Sequence, residues 1–197
     1  MSIFRRAIDA VMGRQLLVGV DIGSTSIKLC RLKKSGSGLE LVRFDLSALP
    51  AGAIENGVIR DFRTVSNRLS ELARVNWCAG AKCALSMSGF STVIKHLCIP
   101  KMTQEQLQFS AQYEVEQYIP FDINNVYWNV RILDPKVGQS HMRVLLVYAP
   151  KTNVDEYVRV VKEAGLCPVV VDVDVFACQS QFVFNYGFPT NEIVALV

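Results

Sequence analysis

The sequence lacks any apolar run long enough to cross a membrane. Its longer apolar stretches, such as residues 144–149, fall far short of the roughly 20 residues that a membrane-spanning helix needs. The amino-terminal segment is interrupted by Arg5, Arg6, Asp9 and Arg14, so it lacks the apolar centre of a secretory signal. The sequence therefore predicts a cytoplasmic protein.

The sequence also lacks a dominant charge sign. Lys and Arg together number 21 and Asp and Glu 18, which gives a net charge of +3. This excess is too small for the phosphate neutralisation that drives non-specific nucleic-acid binding, so nucleic acid is not expected as a partner. The two histidines cannot form a multi-histidine metal site. The six cysteines show no CxxC spacing and are interpreted as reduced thiols.

The sequence does contain the pattern of a folded α/β protein. Half of its residues (50%) are apolar, and they recur at strand spacing in some segments and at helix spacing in others. The first part is predicted to hold four strands, at residues 15–20, 26–33, 39–46 and 82–87. The first three form an antiparallel meander. A helix is predicted over residues 61–75, with Asp61 as its N-cap. The composition changes after Gly89, so a second module is expected to begin there.

The second module is predicted as a strand, a helix, two strands and a second helix, at residues 92–99, 103–119, 126–133, 142–148 and 153–164. A capping-box pattern from Thr103 to Gln106 predicts where the first helix begins, and Pro120 predicts where it ends. Gly165 is expected to end the second helix.

The last part of the chain begins with a run of β-branched residues at 168–175. Such a run is typical of a strand that is buried on both faces. A helix over residues 176–186 and the beginning of another strand at 192–197 are predicted to follow.

The strongest candidate site is the turn in residues 18–28 (VGVDIGSTSIK), between the first two predicted strands. Its candidate ligand-binding residues are Asp21, Gly23, Ser24, Thr25, Ser26 and Lys28. The glycine allows close approach of the backbone, and the amides and hydroxyls that follow it can donate to anionic oxygens. The lysine adds positive charge, and the aspartate could hold a water-coordinated Mg²⁺. An ordinary hairpin turn is the alternative.

This turn resembles the first phosphate loop of the superfamily that contains actin and the sugar kinases. A module inserted after the strand at 82–87 is similar to subdomain 1C of the FtsA and PilM families. Three segments resemble signatures of the PilM family of type IV pilus assembly proteins in order and spacing, namely residues 49–61 (LPAGAIENGVIRD), 114–121 (EVEQYIPF) and 171–177 (VDVDVFA).

The resemblance implies an actin-like (ribonuclease H-like) α/β fold for roughly the front half of the family's length. Subdomain 1A would comprise residues 15–89 and 167–188, with an inserted α+β module 1C at residues 90–166. Residues 1–14 would form an amphipathic leader, and residues 189–197 the first strand of a second actin-like domain that is otherwise missing.

The resemblance also implies a function. The full-length protein would bind the phosphates of ATP through Gly23, Ser24, Thr25, Ser26 and Lys28, and magnesium through water on Asp21. It would show at most weak ATPase activity. The chain alone is expected to bind ATP weakly or not at all, because the family's second phosphate loop and adenosine-binding turns come later.

The partner that the resemblance implies is the N-terminal cytoplasmic tail of PilN, held in a groove between subdomains 1A and 1C. Through PilN, the protein would meet other pilus platform proteins at the inner membrane and support twitching motility. An aromatic concentration in the second module could line a peptide groove or fill its core; its members are Tyr113, Tyr118, Phe121, Tyr127 and Trp128.

Two alternatives remain open at this stage. An FtsA-like filament protein of cell division would carry a C-terminal amphipathic helix, and an actin-superfamily small-molecule kinase is disfavoured by the 1C-like insertion. Asp172 and Asp174 are expected on one face of the strand at 168–175. Asp174 could orient a water or cap the following helix, so no catalytic residue is assigned.

Overall fold

The computed structural model describes residues 17–35, 38–87, 91–138, 140–187 and 193–196. The chain divides into two compact units, the first comprising residues 1–89 and 156–197 and the second residues 90–155. The leader predicted over residues 1–14 lies outside the described residues.

In chain order, the elements of the first unit before the insertion are β1 (Leu17–Ile22), β2 (Ser26–Ser35), β3 (Gly38–Ala48), β4 (Ile54–Glu55), β5 (Val58–Ile59), α1 (Phe62–Val75) and β6 (Lys82–Met87). The second unit then contains β7 (Val93–Pro100), α2 (Gln104–Glu116), a 3₁₀ helix (Ile123–Asn125), β8 (Val126–Val137) and β9 (His141–Pro150). The chain continues through α3 (Lys151–Glu163), β10 (Cys167–Val173) and α4 (Asp174–Tyr186).

The first unit is built on a five-stranded sheet in the order β10-β6-β1-β2-β3. β1, β2 and β3 pair antiparallel, as the alternating pattern predicts, and β6 and β10 add as parallel strands beyond β1. Alternate residues such as Val20, Leu29 and Leu85 are almost fully buried, which places one face of the sheet in the core. The short β4–β5 hairpin was not predicted.

Helix α1 contributes an apolar stripe to this core. Val65, Leu69 and Leu72 recur at helical spacing and are buried. Asp61 is the N-cap, as predicted, and its Oδ1 accepts a hydrogen bond from the Thr64 amide at 3.0 Å. The hydrogen bonds from Thr64 hold the pKa of the Asp61 carboxyl below its usual value.

Helix α3 packs on the first unit through its second half. Tyr157 is 1% exposed and donates from its hydroxyl to the Gly57 carbonyl at 3.1 Å. The Arg159 guanidinium lies 3.9 Å from the centroid of the Phe62 ring. The resemblance implies an inserted module up to residue 166, whereas residues from 156 onward group with the first unit.

Strand β10 differs from its prediction. Among the described strands it lies at the sheet edge and pairs with β6, and Val169 and Val171 remain 42% and 39% exposed, so it is not buried on both faces. A run of β-branched residues indicates a strand, but it does not determine the position of that strand within the sheet. Residues 193–196 form neither helix nor strand, so the strand predicted over residues 192–197 is absent from the described part of that segment.

The second unit packs α2 with an antiparallel sheet in the order β7-β9-β8. Its core includes Leu107 from the helix and Met142, Val144 and Leu146 from β9, all fully buried. The predicted capping box is present: the Thr103 amide donates to Gln106 Oε1 at 2.8 Å, and the Gln106 amide donates to Thr103 Oγ1 at 3.1 Å. Helix α2 ends at Glu116, ahead of the predicted residue 119.

Within the described residues, no helix has both the length and the apolar character that crossing a membrane requires.

Candidate functional site

The candidate phosphate turn joins β1 to β2. The Gly23 amide donates to the Ser26 carbonyl at 3.0 Å, and the Leu49 amide donates to the Thr25 carbonyl at 2.8 Å. A Cβ at position 23 would lie 3.3 Å from the Ser26 carbonyl oxygen, so glycine lets the turn close tightly. The Gly23 amide is therefore used to close the hairpin and cannot also donate freely to a ligand.

The rest of the turn keeps its donors. Within the part of the chain that the structure describes, the backbone amides of Ser24 and Thr25 have no protein acceptor. Both residues are exposed, and Ser26 is half-buried at the start of β2. Two amides and the neighbouring hydroxyls can therefore donate to an anion that approaches the turn.

Asp21 and Lys28 are brought together across the hairpin. They are partners in the β1–β2 register, and Lys28 Nζ lies 2.8 Å from Asp21 Oδ2. On the other side, Ser86 of β6 is the register partner of Asp21 and donates from Oγ to Asp21 Oδ1 at 2.5 Å. The carboxylate thus has a partner on each oxygen. Ser86 was not predicted as a site residue, because a single serine in a strand belongs to no motif.

Asp172 lies beside Ser86 on a fourth strand, β10. It is the β10 register partner of Ser86, so Lys28, Asp21, Ser86 and Asp172 follow one another across neighbouring strands. Burial raises the pKa of the Asp172 carboxyl, while a hydrogen bond from the Val173 amide at 2.8 Å acts in the opposite direction. The row lies near the carboxyl ends of the parallel strands, where α/β proteins commonly bind ligands.

Asp174 does not share a strand face with Asp172. Strand β10 ends at Val173, and Asp174 is the first residue of α4, where its Oδ1 accepts a hydrogen bond from the Val175 amide at 2.7 Å. The N-cap residue of α4 is Val173, so Asp174 is not the N-cap of this helix, while its orienting of a water stays a prediction. Its acidic side chain in the first turn suits the positive end of the helix dipole.

Stability is expected to depend on pH through Asp172. Because its pKa is raised in the folded protein, the stabilisation is present below the ordinary aspartate value of about 4 and is lost as pH rises through the raised value. An Asp172→Asn variant should therefore gain stability relative to the parent protein as pH increases. Urea unfolding at a series of pH values measures this, and a difference that stays constant with pH would contradict it.

The turn fits a phosphate better than it fits a metal. Its unbonded amides, hydroxyls and the Lys28 ammonium are all donors or positive charges. Lys28 and Ser86 each donate to one Asp21 oxygen, so a magnesium-bound water would share the carboxylate with them or displace Lys28. Within the described ranges, no group of three or more His, Cys, Asp or Glu side chains is placed to hold a metal ion.

The second unit has a separate concavity of about 300 Å³ beside β8, lined in part by Gln112, Tyr127, Trp128 and Lys151. The Lys151 ammonium lies 5.4 Å from the centroid of the Tyr127 ring. The Tyr127 hydroxyl donates to Asp155 at 3.1 Å, and this bond raises its pKa. β8 is an outer strand that pairs with β9, so one of its edges is not paired within the described sheet.

The predicted aromatic set is divided by the structure. Trp128 and Tyr118 pack against the core of the second unit, whereas Tyr113 is 78% exposed. Tyr127, 48% exposed, lines the concavity together with part of Trp128. Some members of the set therefore fill the module, and others line its surface concavity.

Comparisons with known proteins identify relatives of the chain. The model of a family described as type IV pilus assembly protein PilM matches residues 19–196. A solved PilM–PilN type IV pilus biogenesis complex contains a chain that is similar at TM-score 0.71 and 24% identity, over 83% of this chain and 49% of that one. The chain thus spans about half the length of that relative.

A second solved structure is more distant. The cytoplasmic domain of EpsL, an inner-membrane component of the type II secretion system of Vibrio cholerae, matches at TM-score 0.55 and 16% identity, over 83% of this chain and 59% of that one. Together these similarities confirm the predicted fold class, an actin-like α/β fold.

Proposed function

Because the chain belongs to the PilM family of type IV pilus assembly proteins, we propose that it captures the N-terminal tail of PilN as part of a cytoplasmic scaffold. The observation that carries this proposal is the family match, supported by the similarity to a chain of a solved PilM–PilN complex. The scaffold would lie against the inner membrane through PilN and meet other platform proteins there. The family match favours this role over the FtsA-like and small-molecule kinase alternatives.

The concavity beside β8 is the surface that we propose contributes to PilN capture. The edge of β8 that has no partner among the described strands can add an extended peptide as a further strand, with main-chain hydrogen bonds supplying affinity. Tyr127 supplies a half-exposed aromatic ring next to that edge, and the ammonium of Lys151 adds positive charge. An extended tail with an apolar residue and an acidic residue would match this surface.

The experiment that tests this function is a calorimetric titration of the 197-residue chain with a synthetic peptide of the PilN N-terminal tail from the same organism. Saturable binding at one site is expected, and a peptide of the same composition in scrambled order serves as the control. Equal heats for the two peptides, or no heat for either, would contradict PilN capture by this chain.

For the full-length protein, we propose nucleotide binding at the β1–β2 turn. The amides of Ser24 and Thr25, the hydroxyl of Ser26 and the Lys28 ammonium would contact phosphate, close to Gly23, and Asp21 would hold a magnesium-bound water. The support is the set of unbonded donors in the turn and the position of Asp21 beside it. Bound magnesium would neutralise phosphate charge. Lys28 would be released from Asp21 to serve the phosphates.

A further inference from the structure

Helix α1 ends in an unusual way. The Trp77 amide donates to the Arg74 carbonyl at 3.2 Å and the Cys78 amide donates to the Ala73 carbonyl at 2.9 Å, which is the Schellman arrangement. Trp77 occupies its left-handed position with φ of 55°. Glycine is the usual residue there, because a side chain at positive φ is strained. The chain therefore places a large aromatic residue where the backbone favours glycine.

Trp77 does not compensate this strain by packing into the core. It is 87% exposed, and the neighbouring Val75 is 50% exposed. Both residues line a concavity of about 520 Å³ at the end of α1, together with Ser70, Ala73, Arg74 and Ala164. Strained residues and exposed aromatic rings concentrate at binding surfaces, where the ring provides contact area at low entropic cost.

The charge of the concavity indicates what it would bind. Arg74 is the one charged residue among those described as lining it, and its guanidinium has no ion pair within the described residues. Arg43, Arg60 and Arg68 pair with carboxylates, so Arg74 is one of several described arginines whose guanidinium has no ion pair there. An occupant with a carboxylate would therefore complement Arg74, while its apolar part would contact Trp77 and Val75.

This concavity is separate from the phosphate turn. β6 begins at Lys82, after the loop that contains Trp77, whereas Asp21 and Ser86 lie near the ends of the parallel strands β1 and β6. The two features are thus directed toward opposite ends of the sheet. The amino-terminal segment of the chain has the wrong charge to fill the concavity, because residues 1–16 contain Arg5, Arg6 and Arg14 but a single acidic residue, Asp9.

We propose that the Trp77 concavity docks a short segment of a partner protein in which an apolar side chain, packed on the indole, stands next to a carboxylate that pairs with Arg74. This surface acts independently of PilN capture. It gives the scaffold a second attachment point in its first unit.

The test uses an octapeptide that alternates leucine and aspartate as the probe, and a matched peptide with asparagine in place of aspartate. NMR titration of the 197-residue chain should show shifts of the Trp77 indole N–H and the Arg74 amide, with the acidic peptide binding at least tenfold more tightly. No binding of the acidic peptide, or equal affinity for both peptides, would overturn the proposal.

Two variants separate docking from folding. Trp77→Gly should bind the acidic peptide at least tenfold more weakly, yet unfold at the same or a higher urea concentration, because glycine suits the left-handed position. Arg74→Gln should remove the preference for the acidic peptide, and PilN-peptide binding should be unchanged in both variants. Unchanged octapeptide binding by Trp77→Gly would overturn the proposal. The proposal would also be overturned if a peptide of residues 1–16 bound more tightly than the acidic octapeptide. Self-association of the chain that Trp77→Gly abolishes would overturn it as well.

Discussion

Replacing Tyr127 with alanine is expected to weaken the binding of the PilN tail peptide by roughly tenfold or more. The tyrosine ring is half-exposed on β8, an outer strand of the described sheet, where it is available to cover an apolar side chain of an added strand. Its removal also takes away the ring under Lys151 and the hydrogen bond to Asp155. Calorimetric titration with the peptide measures the loss.

Tyr113 provides the matched control for this variant. It lies in the same unit on α2 and is 78% exposed, but it is not among the residues that line the concavity. Tyr113→Ala should therefore bind the peptide as the parent chain does. Equal losses in the two variants, or no loss in either, would place PilN capture away from the β8 edge.

Replacing Tyr157 with alanine is expected to lower the free energy of unfolding of the first unit by about 3–5 kcal/mol. The side chain is 1% exposed, and its hydroxyl donates to the Gly57 carbonyl. Alanine therefore leaves a cavity and removes this hydrogen bond to the Gly57 carbonyl. Urea unfolding gives the total loss, and hydrogen exchange of the β1 and β6 amides locates it in the first unit.

Tyr157→Phe separates the hydroxyl from the ring. This variant keeps the packing and should lose only about 0.5–1.5 kcal/mol. A loss of less than about 1 kcal/mol in the alanine variant would contradict the assignment of this part of α3 to the core of the first unit. So would a loss that affects only the amides of the second unit.

Features with local causes were predicted from the sequence. The N-cap at Asp61 and the capping box from Thr103 to Gln106 depend on side chains that reach neighbouring amides, so a few residues suffice to indicate them. The meander was predicted because alternation and turn residues define hairpins over short distances. The resemblance to the PilM family, which rests on short segments, is confirmed by the family match.

Features that depend on distant pairing were not predicted. The position of β10 at the sheet edge follows from which strand it pairs with, and its apolar run indicated a buried strand instead. Ser86 joins the candidate site because β6 lies beside β1, in a register that no local pattern encodes. The grouping of residues 156–166 with the first unit likewise depends on contacts such as the bond from Tyr157 to Gly57.

The structure brings some of the predicted site residues together. Asp21 and Lys28 are brought together as an ion pair, and the turn keeps the amides of Ser24 and Thr25 unbonded within the described chain. The Gly23 amide, by contrast, is used by the hairpin. Phosphate binding at this turn stays a prediction. It rests on the Ser24 and Thr25 amides, which are already positioned to donate without a rearrangement of the turn.

The most direct test of the phosphate-binding turn is an NMR titration of the 197-residue chain with magnesium and ATP, followed through its backbone amides. Magnesium chloride alone is the control. The sequence predicts weak or no ATP binding by the chain alone. Because the turn keeps unbonded amides, we narrow this to weak binding, roughly millimolar, with the largest shifts at the amides of Ser24 and Thr25 and at Lys28. Unmoved Ser24 and Thr25 amides at saturating ATP, or shifts confined to residues away from the turn, would contradict the account.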